Sequence, residues 1–139
     1  SPDECAPMWG DDATRPGFAR HLDQRPVGPL MPFSGADRGD LIVWVRHRDP
    51  VEPSIEALVA MGDALPPASF TRMRQLTVIS TVTWSFDLFD PHPEDGAGWL
   101  LMRSTDDGVG DGYAGQDMAM WSESGRPILK ARQSVAIFG

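Results

Sequence analysis

The chain has 139 residues, 41% hydrophobic content and a formal net charge of -8. That size and apolar content suit one domain with a real core, and the charge argues against a nucleic-acid binder, whose phosphate contacts need clustered Lys and Arg. A single cysteine, Cys5, excludes an intrachain disulfide, and no apolar run approaches the length of a membrane span.

Ser1 to Pro16 carries Pro2, Pro7, Gly10, Asp11, Asp12 and Pro16 and reads as a linker or tail, which leaves residues 17–139 as the domain. Met8 and Trp9 lie in it, but two residues make no core. The chain opens on Ser1 without an initiator Met, as a processed product or a fragment would. No signal peptide is visible, and with one cysteine this is compatible with a reducing, cytoplasmic setting. Phe18 to Val27 is an expected extended strand ended by Pro26, and Gly28 to Gly39 a Gly- and Pro-rich loop. Asp40 to Arg48 is a strand by content, with Leu41, Ile42, Val43, Trp44 and Val45. Arg46, His47 and Arg48 form a small basic cluster, Arg72 and Arg74 another; each reads as a solvated strand end.

Ser54 to Leu65 is the predicted helix. Ile55, Leu58, Val59 and Leu65 recur at helical spacing, and Ala57, Ala60, Met61 and Ala64 fill the other side. A helix apolar all round is one that other elements wrap. Pro53 suits a first turn, and Pro66 and Pro67 stop the helix. Asp63 disagrees with this surface. A carboxylate in the last turn faces the negative end of the helix dipole, and a buried one needs donors or a raised pKa.

The remainder is mostly β. A long strand spans Arg72 to Phe89, followed by a turn at residues 91–96, a strand from Trp99 to Thr105 and a Gly/Asp loop from Asp106 to Gly112. Tyr113 to Trp121 then pairs with Ile128 to Phe138 across a hairpin turn at Glu123 to Arg126. An antiparallel sheet curled round one long helix meets this α+β pattern, the arrangement called a hot dog fold, beside other α+β rolls.

In the last strand Leu129, Ala131, Val135 and Ile137 share one face with a lone polar residue, Gln133. A buried amide needs partners for both its ends; pairing with nearby backbone accounts for it as readily as a catalytic role. In the long strand, alternation puts Val82, Trp84, Phe86 and Leu88 inward and Thr81 outward. Thr81 is then an ordinary strand residue unless a bulge resets the register or a second surface covers its face.

Taken together, Gly62-Asp63-Ala64-Leu65-Pro66-Pro67, then Ile79 to Trp84, then Trp99-Leu100-Leu101, then Gly125 to Gln133, with Trp44 before the helix, resemble the second half of the type II acyl-CoA thioesterases. The resemblance runs from about Phe18 to Phe138. It implies two hot dog domains packed sheet to sheet, of which this chain carries the second, the first being a separate chain or an equivalent copy. It also implies hydrolysis of fatty acyl-CoA to free acid and CoA by a water that an Asp, a Thr or Ser and a Gln activate. Asp63, Thr81 and Gln133 match those three positions in type and order. The family's Thr strand often carries an Asp-His pair two residues on, where this chain has Thr83-Trp84.

On this resemblance Asp63 is the general base, Thr81 and Gln133 hold the water, and no cofactor or metal is called for. Two other readings stand beside it. One is a non-catalytic acyl-binding or structural half. The other is a hot dog hydratase, which needs a His acid/base, whereas His21, His47 and His92 lie away from the helix and the centre of the long strand. Cys5 lies in the tail and makes a poor nucleophile, and Met118 and Met120 read as core or pocket wall.

Overall fold

The computed structural model describes residues 1–10, 15–89 and 91–139. Residues 11–14 of the expected tail and Asp90 lie outside the described residues. Strands β1 (Leu22–Pro26), β2 (Asp40–His47), β3 (Val78–Leu88), β4 (Leu100–Gly110), β5 (Tyr113–Ser122) and β6 (Pro127–Phe138) form one sheet, and one helix, α1 (Ile55–Gly62), lies between β2 and β3 in the chain. The strand order is β1-β2-β4-β5-β6-β3, and every neighbouring pair is antiparallel. This is the α+β arrangement expected, and it leaves β1 and β3 as the two edges.

The helix is shorter than its apolar run. Ser54 is its N-cap, accepting the Ala57 N–H at 3.0 Å, so Pro53 precedes the cap rather than filling the first turn. Such a cap contributes about 1 kcal/mol. Asp63 is the C-cap, with φ -107° and ψ 16°. Ala64 and Leu65 continue the buried path outside the helix. Other elements do not wrap α1 on all sides: Leu58, Met61 and Gly62 are buried, while Val59 is half-buried and Ala60 exposed.

Leu58 and Met61 enter a core with Leu41, Val43 and Val45 of β2, Leu100 and Met102 of β4, Met118 and Met120 of β5, and Ile128 and Leu129 of β6. In β2, β4 and β5 these residues recur at every second position, the period that places them on one face; the adjacent Ile128 and Leu129 are both buried at the start of β6, beside the register irregularity between Met120 and Trp121. Truncating such a side chain to Ala costs roughly 2–5 kcal/mol. Met118 and Met120 thus serve as core, as their spacing suggested.

Several element boundaries differ from the sequence reading. Gly17–His21 is a 3-10 turn ahead of β1. Residues 68–71 form a buried 3-10 turn, and β3 begins only at Val78. The Gly/Asp stretch after Thr105 extends β4 to Gly110, and the chain reverses at Asp111 and Gly112, both with positive φ. The β5–β6 hairpin turns at Gly125, φ 89°, with Ser122 and Arg126 bonded across it.

The stretch before residue 11 docks on the domain. Pro2 is buried, Met8 joins the core and Trp9 packs against it. Met8 N–H donates to the Gln24 carbonyl, and the Trp9 indole donates to the Gln24 side-chain oxygen at 2.6 Å. The basic clusters are partly solvated, with Arg48 and Arg74 exposed, but also paired. Arg46 and Arg48 pair with Asp23, Arg46 lies over the Trp99 ring, and His47 meets the Ala57 carbonyl. Arg72 reaches the buried Asp106 carboxylate at 2.7 Å, which ties the 3-10 turn at residues 68–71 to β4.

Candidate active site

Three elements deliver three polar side chains to one place. The end of α1 supplies Asp63, because the Pro66-Pro67 pair behind it cannot continue a helix. β6 supplies Gln133 from its core face, 4% exposed. β3 supplies Thr81, against the alternation of its strand. The pairing of β3 with β6 shifts register between Thr81 and Thr83, so Val82 is the extra residue of a bulge and stands 56% exposed. An extra residue restores one face to positions that simple alternation would separate. Thr81 therefore comes to the same side as Trp84, whose register partner is Gln133.

The Gln133 amide donates both its protons within this group, to Thr81 Oγ1 at 2.9 Å and to Asp63 Oδ1 at 3.4 Å. Thr81 accepts here, so its own hydroxyl proton is free to point elsewhere. Asp63 is exposed rather than buried, but partial desolvation still pushes its carboxyl up from the ordinary aspartate value, and the Gln133 hydrogen bond opposes the rise. Its place at the helix C-terminus adds no donor, since the free groups there are carbonyls.

The trio lines a pocket of about 270 Å³ whose other walls are mainly apolar: Leu65, Pro66, Pro67, Phe70, Leu76 and Ile79 among them. Asp63 also borders a second hollow with Val59, Ala60, His21, His47 and Trp84. The His47 ring nitrogen is spent on the Ala57 carbonyl at 3.0 Å; a carbonyl can only accept, so that nitrogen carries a proton. Among the described residues no group of three or more His, Cys, Asp or Glu is placed to hold a metal.

Behind Gln133 lie two buried residues that the sequence reading passed over, Gln116 and Ser104. Gln116 donates to Gln133 Oε1 at 2.6 Å, and its oxygen accepts from the Ser104 hydroxyl and the Ala68 N–H. Gln116 alternates with Ala114, Met118 and Met120 on the core face of β5, the same lone-amide signal that marked Gln133. Of the residues expected inward on β3, Phe86 is 38% exposed. Trp84 and Leu88 pack against the core, opposite Gln133 and Leu129 of β6.

One α-helix packed on a six-stranded antiparallel sheet defines a hot dog domain. The chain belongs to the acyl-CoA thioesterase C-terminal domain family, whose family model matches residues 2–137. A comparison with curated protein sequences found no match. Among solved structures, a hot dog protein of unknown function from Alicyclobacillus acidocaldarius superposes with a TM-score of 0.85 at 22% identity, over 100% of this chain and 53% of that one. The acyl-CoA thioesterase II TesB2 from Mycobacterium marinum gives 0.72 at 20% identity, over 99% of this chain and 53% of that one. A thioesterase from Haemophilus influenzae gives 0.65 at 10% identity, over 88% of this chain and 82% of that one. The chain thus spans about half the length of the first two, and at these identities the likeness is one of fold.

Proposed function

We propose that this chain is the catalytic C-terminal hot dog of an acyl-CoA thioesterase, hydrolysing fatty acyl-CoA to free acid and CoA. The observation that carries the reading is the Gln133 amide shared between Thr81 and Asp63 at the polar edge of an apolar pocket.

The attacking group is a water held beside Asp63 by the free Thr81 hydroxyl proton and by the Gln133 N–H that its long 3.4 Å bond to Asp63 gives up to it. Asp63 takes one of its protons as the oxygen attacks the thioester carbonyl carbon. The carbonyl π electrons move to oxygen, and on their return the carbon–sulfur bond breaks. CoA leaves as a thiolate, a good leaving group that demands no strong acid. A carboxylate pKa raised by partial desolvation strengthens Asp63 as a base. Placing the water close and aligned lowers the barrier through pre-paid entropy. The apolar walls from Leu65 to Ile79 suit an acyl chain, which gains about 0.8 kcal/mol per buried CH2.

A second hot dog completes the assembly in this reading. β3 is an open sheet edge, with Val78 and Val82 exposed. Unpaired strand edges of this kind are normally covered.

Release of free CoA thiol from medium- and long-chain acyl-CoA, measured with the companion hot dog present, tests the activity. Hydrolysis that the Asp63→Asn variant lacks supports the reading. An inactive parent that still binds acyl-CoA replaces it with the acyl-binding one.

A further inference from the structure

We propose that Gln116 is a positioning residue: it decides which end of the Gln133 amide faces Asp63 and Thr81. Its effect on rate rests on the thioesterase reading above, whereas its effect on the amide stands on geometry alone.

The two ends of a glutamine amide are nearly the same in shape and opposite in hydrogen bonding. Only the NH2 end suits an ionised Asp63, which can only accept. The Thr81 hydroxyl is indifferent, because it accepts or donates. The direction is set from a donor that cannot be reversed. Pro66 and Pro67 have no N–H, so after Leu65 the first backbone donor is that of Ala68. It donates to Gln116 Oε1 at 2.8 Å, and the Ser104 hydroxyl donates to the same oxygen at 3.1 Å. The Gln116 NH2 must then point the other way. It donates to Gln133 Oε1 at 2.6 Å and to the Met118 sulfur at 3.7 Å. With its oxygen so engaged, Gln133 turns its own NH2 to Thr81 and Asp63.

Gln116 and Gln133 are direct register partners in the β5–β6 ladder. Gln116 is 2% exposed and Ser104 fully buried, so water does not compete for these bonds. Every hydrogen-bonding position of Gln116 is filled, which leaves it one low-energy sense. The relay matters most after Asp63 has taken the water's proton. A protonated Asp63 can donate, and so no longer selects the NH2 end of Gln133; Gln116 still does.

Gln116→Glu in the full protein, with its companion hot dog, separates positioning from packing. Glu has the same shape and still accepts from Ala68 and Ser104. When ionised it has no proton for Gln133, and the Gln133 amide reverses to donate to it. When protonated it donates as Gln116 does. The expected result is a kcat lowered roughly tenfold or more at high pH with KM little changed, the ratio to parent recovering as pH falls. Thermal melts at each pH accompany the assay. A ratio that stays flat with pH, or one that only follows the loss of folded protein, overturns the proposal.

A second measurement needs no turnover. In protein with labelled glutamine, the Gln133 NH2 protons show a nuclear Overhauser effect to the Thr81 side chain in the parent, and lose it in Gln116→Glu at high pH. Its absence from the parent overturns the relay even where Gln116→Glu fails to fold. If the parent shows no hydrolysis while this signal behaves as stated, the thioesterase assignment fails and the relay stands; if Asp63→Asn retains activity, only the role of Asp63 as base fails.

Discussion

Thr81 receives the Gln133 amide at 2.9 Å from a diagonal position: its own register partner on β6 is Val135, and Trp84 stands opposite Gln133. The bulge at Val82 makes this possible. In a regular strand, residues 81 and 84 lie on opposite faces; with one extra residue they share a face. The hydroxyl of Thr81 therefore reaches Gln133, although Thr81 as a whole is exposed, as are Ser80 and Val82.

Thr81→Val keeps the branched shape and removes the hydroxyl. Hydrolysis is expected to fall about 10- to 100-fold, the equivalent of roughly 1–3 kcal/mol for an interaction lost at the reacting centre. Thr81→Ser keeps the hydroxyl and should retain most activity. Activity kept in Thr81→Val and lost in Thr81→Ser would mean that the methyl, not the hydroxyl, matters.

Asp63→Asn preserves volume and removes the base. Turnover of acyl-CoA should drop on the order of a hundredfold or more, with the fold intact by circular dichroism. Partial desolvation holds the Asp63 pKa above its ordinary value, so the native state binds this proton more tightly than the unfolded chain does. The stability contributed by that proton is complete in acid, below the unfolded pKa, and is lost as pH rises through the folded pKa. Asn never ionises. The variant should therefore melt at or above the parent temperature at neutral pH, and the gap should close in acid. Unchanged hydrolysis in this variant would remove Asp63 from the mechanism.

The acid limb of the pH–rate profile should report Asp63, with activity rising as the carboxyl ionises. The Gln133 hydrogen bond lowers that pKa against the larger effect of desolvation. Gln133→Ala removes the donor, so the limb should move to higher pH as the maximal rate falls. Stability is also expected to drop by about 1–3 kcal/mol, because the Gln116 NH2 is left without its acceptor. A limb that stays in place would assign it to another group.

Trp9→Phe tests whether the stretch before residue 11 belongs to the fold. The indole N–H is the donor to Gln24 Oε1 at 2.6 Å, and Gln24 is buried. Its loss should cost about 1–3 kcal/mol, seen as a lower denaturant midpoint with kcat unchanged. A midpoint equal to the parent's would return this stretch to the status of a tail.

Pairing with a second hot dog is expected at the β3 edge, where Val78 is 70% exposed. Native mass measurement should find this chain with a companion, and Val78→Lys with Val82→Lys should weaken that association, since edge lysines oppose strand addition. A lone chain at micromolar concentration would contradict it.

Periodicity alone was enough to find the helix and the main strands of this protein, though not their ends. The apolar run from Ile55 to Leu65, the two prolines behind it and the alternation from Leu129 to Ile137 define a helix, its stop and a half-buried strand. Asp63 and Gln133 were visible because each breaks an apolar pattern. Thr81 was legible only through resemblance, since its own strand's alternation points it outward. A bulge is a property of two strands paired together, and no single strand encodes it. The helix end, too, was a tertiary matter: Ala64 and Leu65 are apolar enough for a helix, yet they are buried outside it, and their burial looks the same in sequence. Gln116 carries the same local signal as Gln133, but its role follows from the Ala68 N–H, 48 residues away in the chain. Only folding brings that donor to it, and the direction of a hydrogen-bond relay depends on which donor comes first.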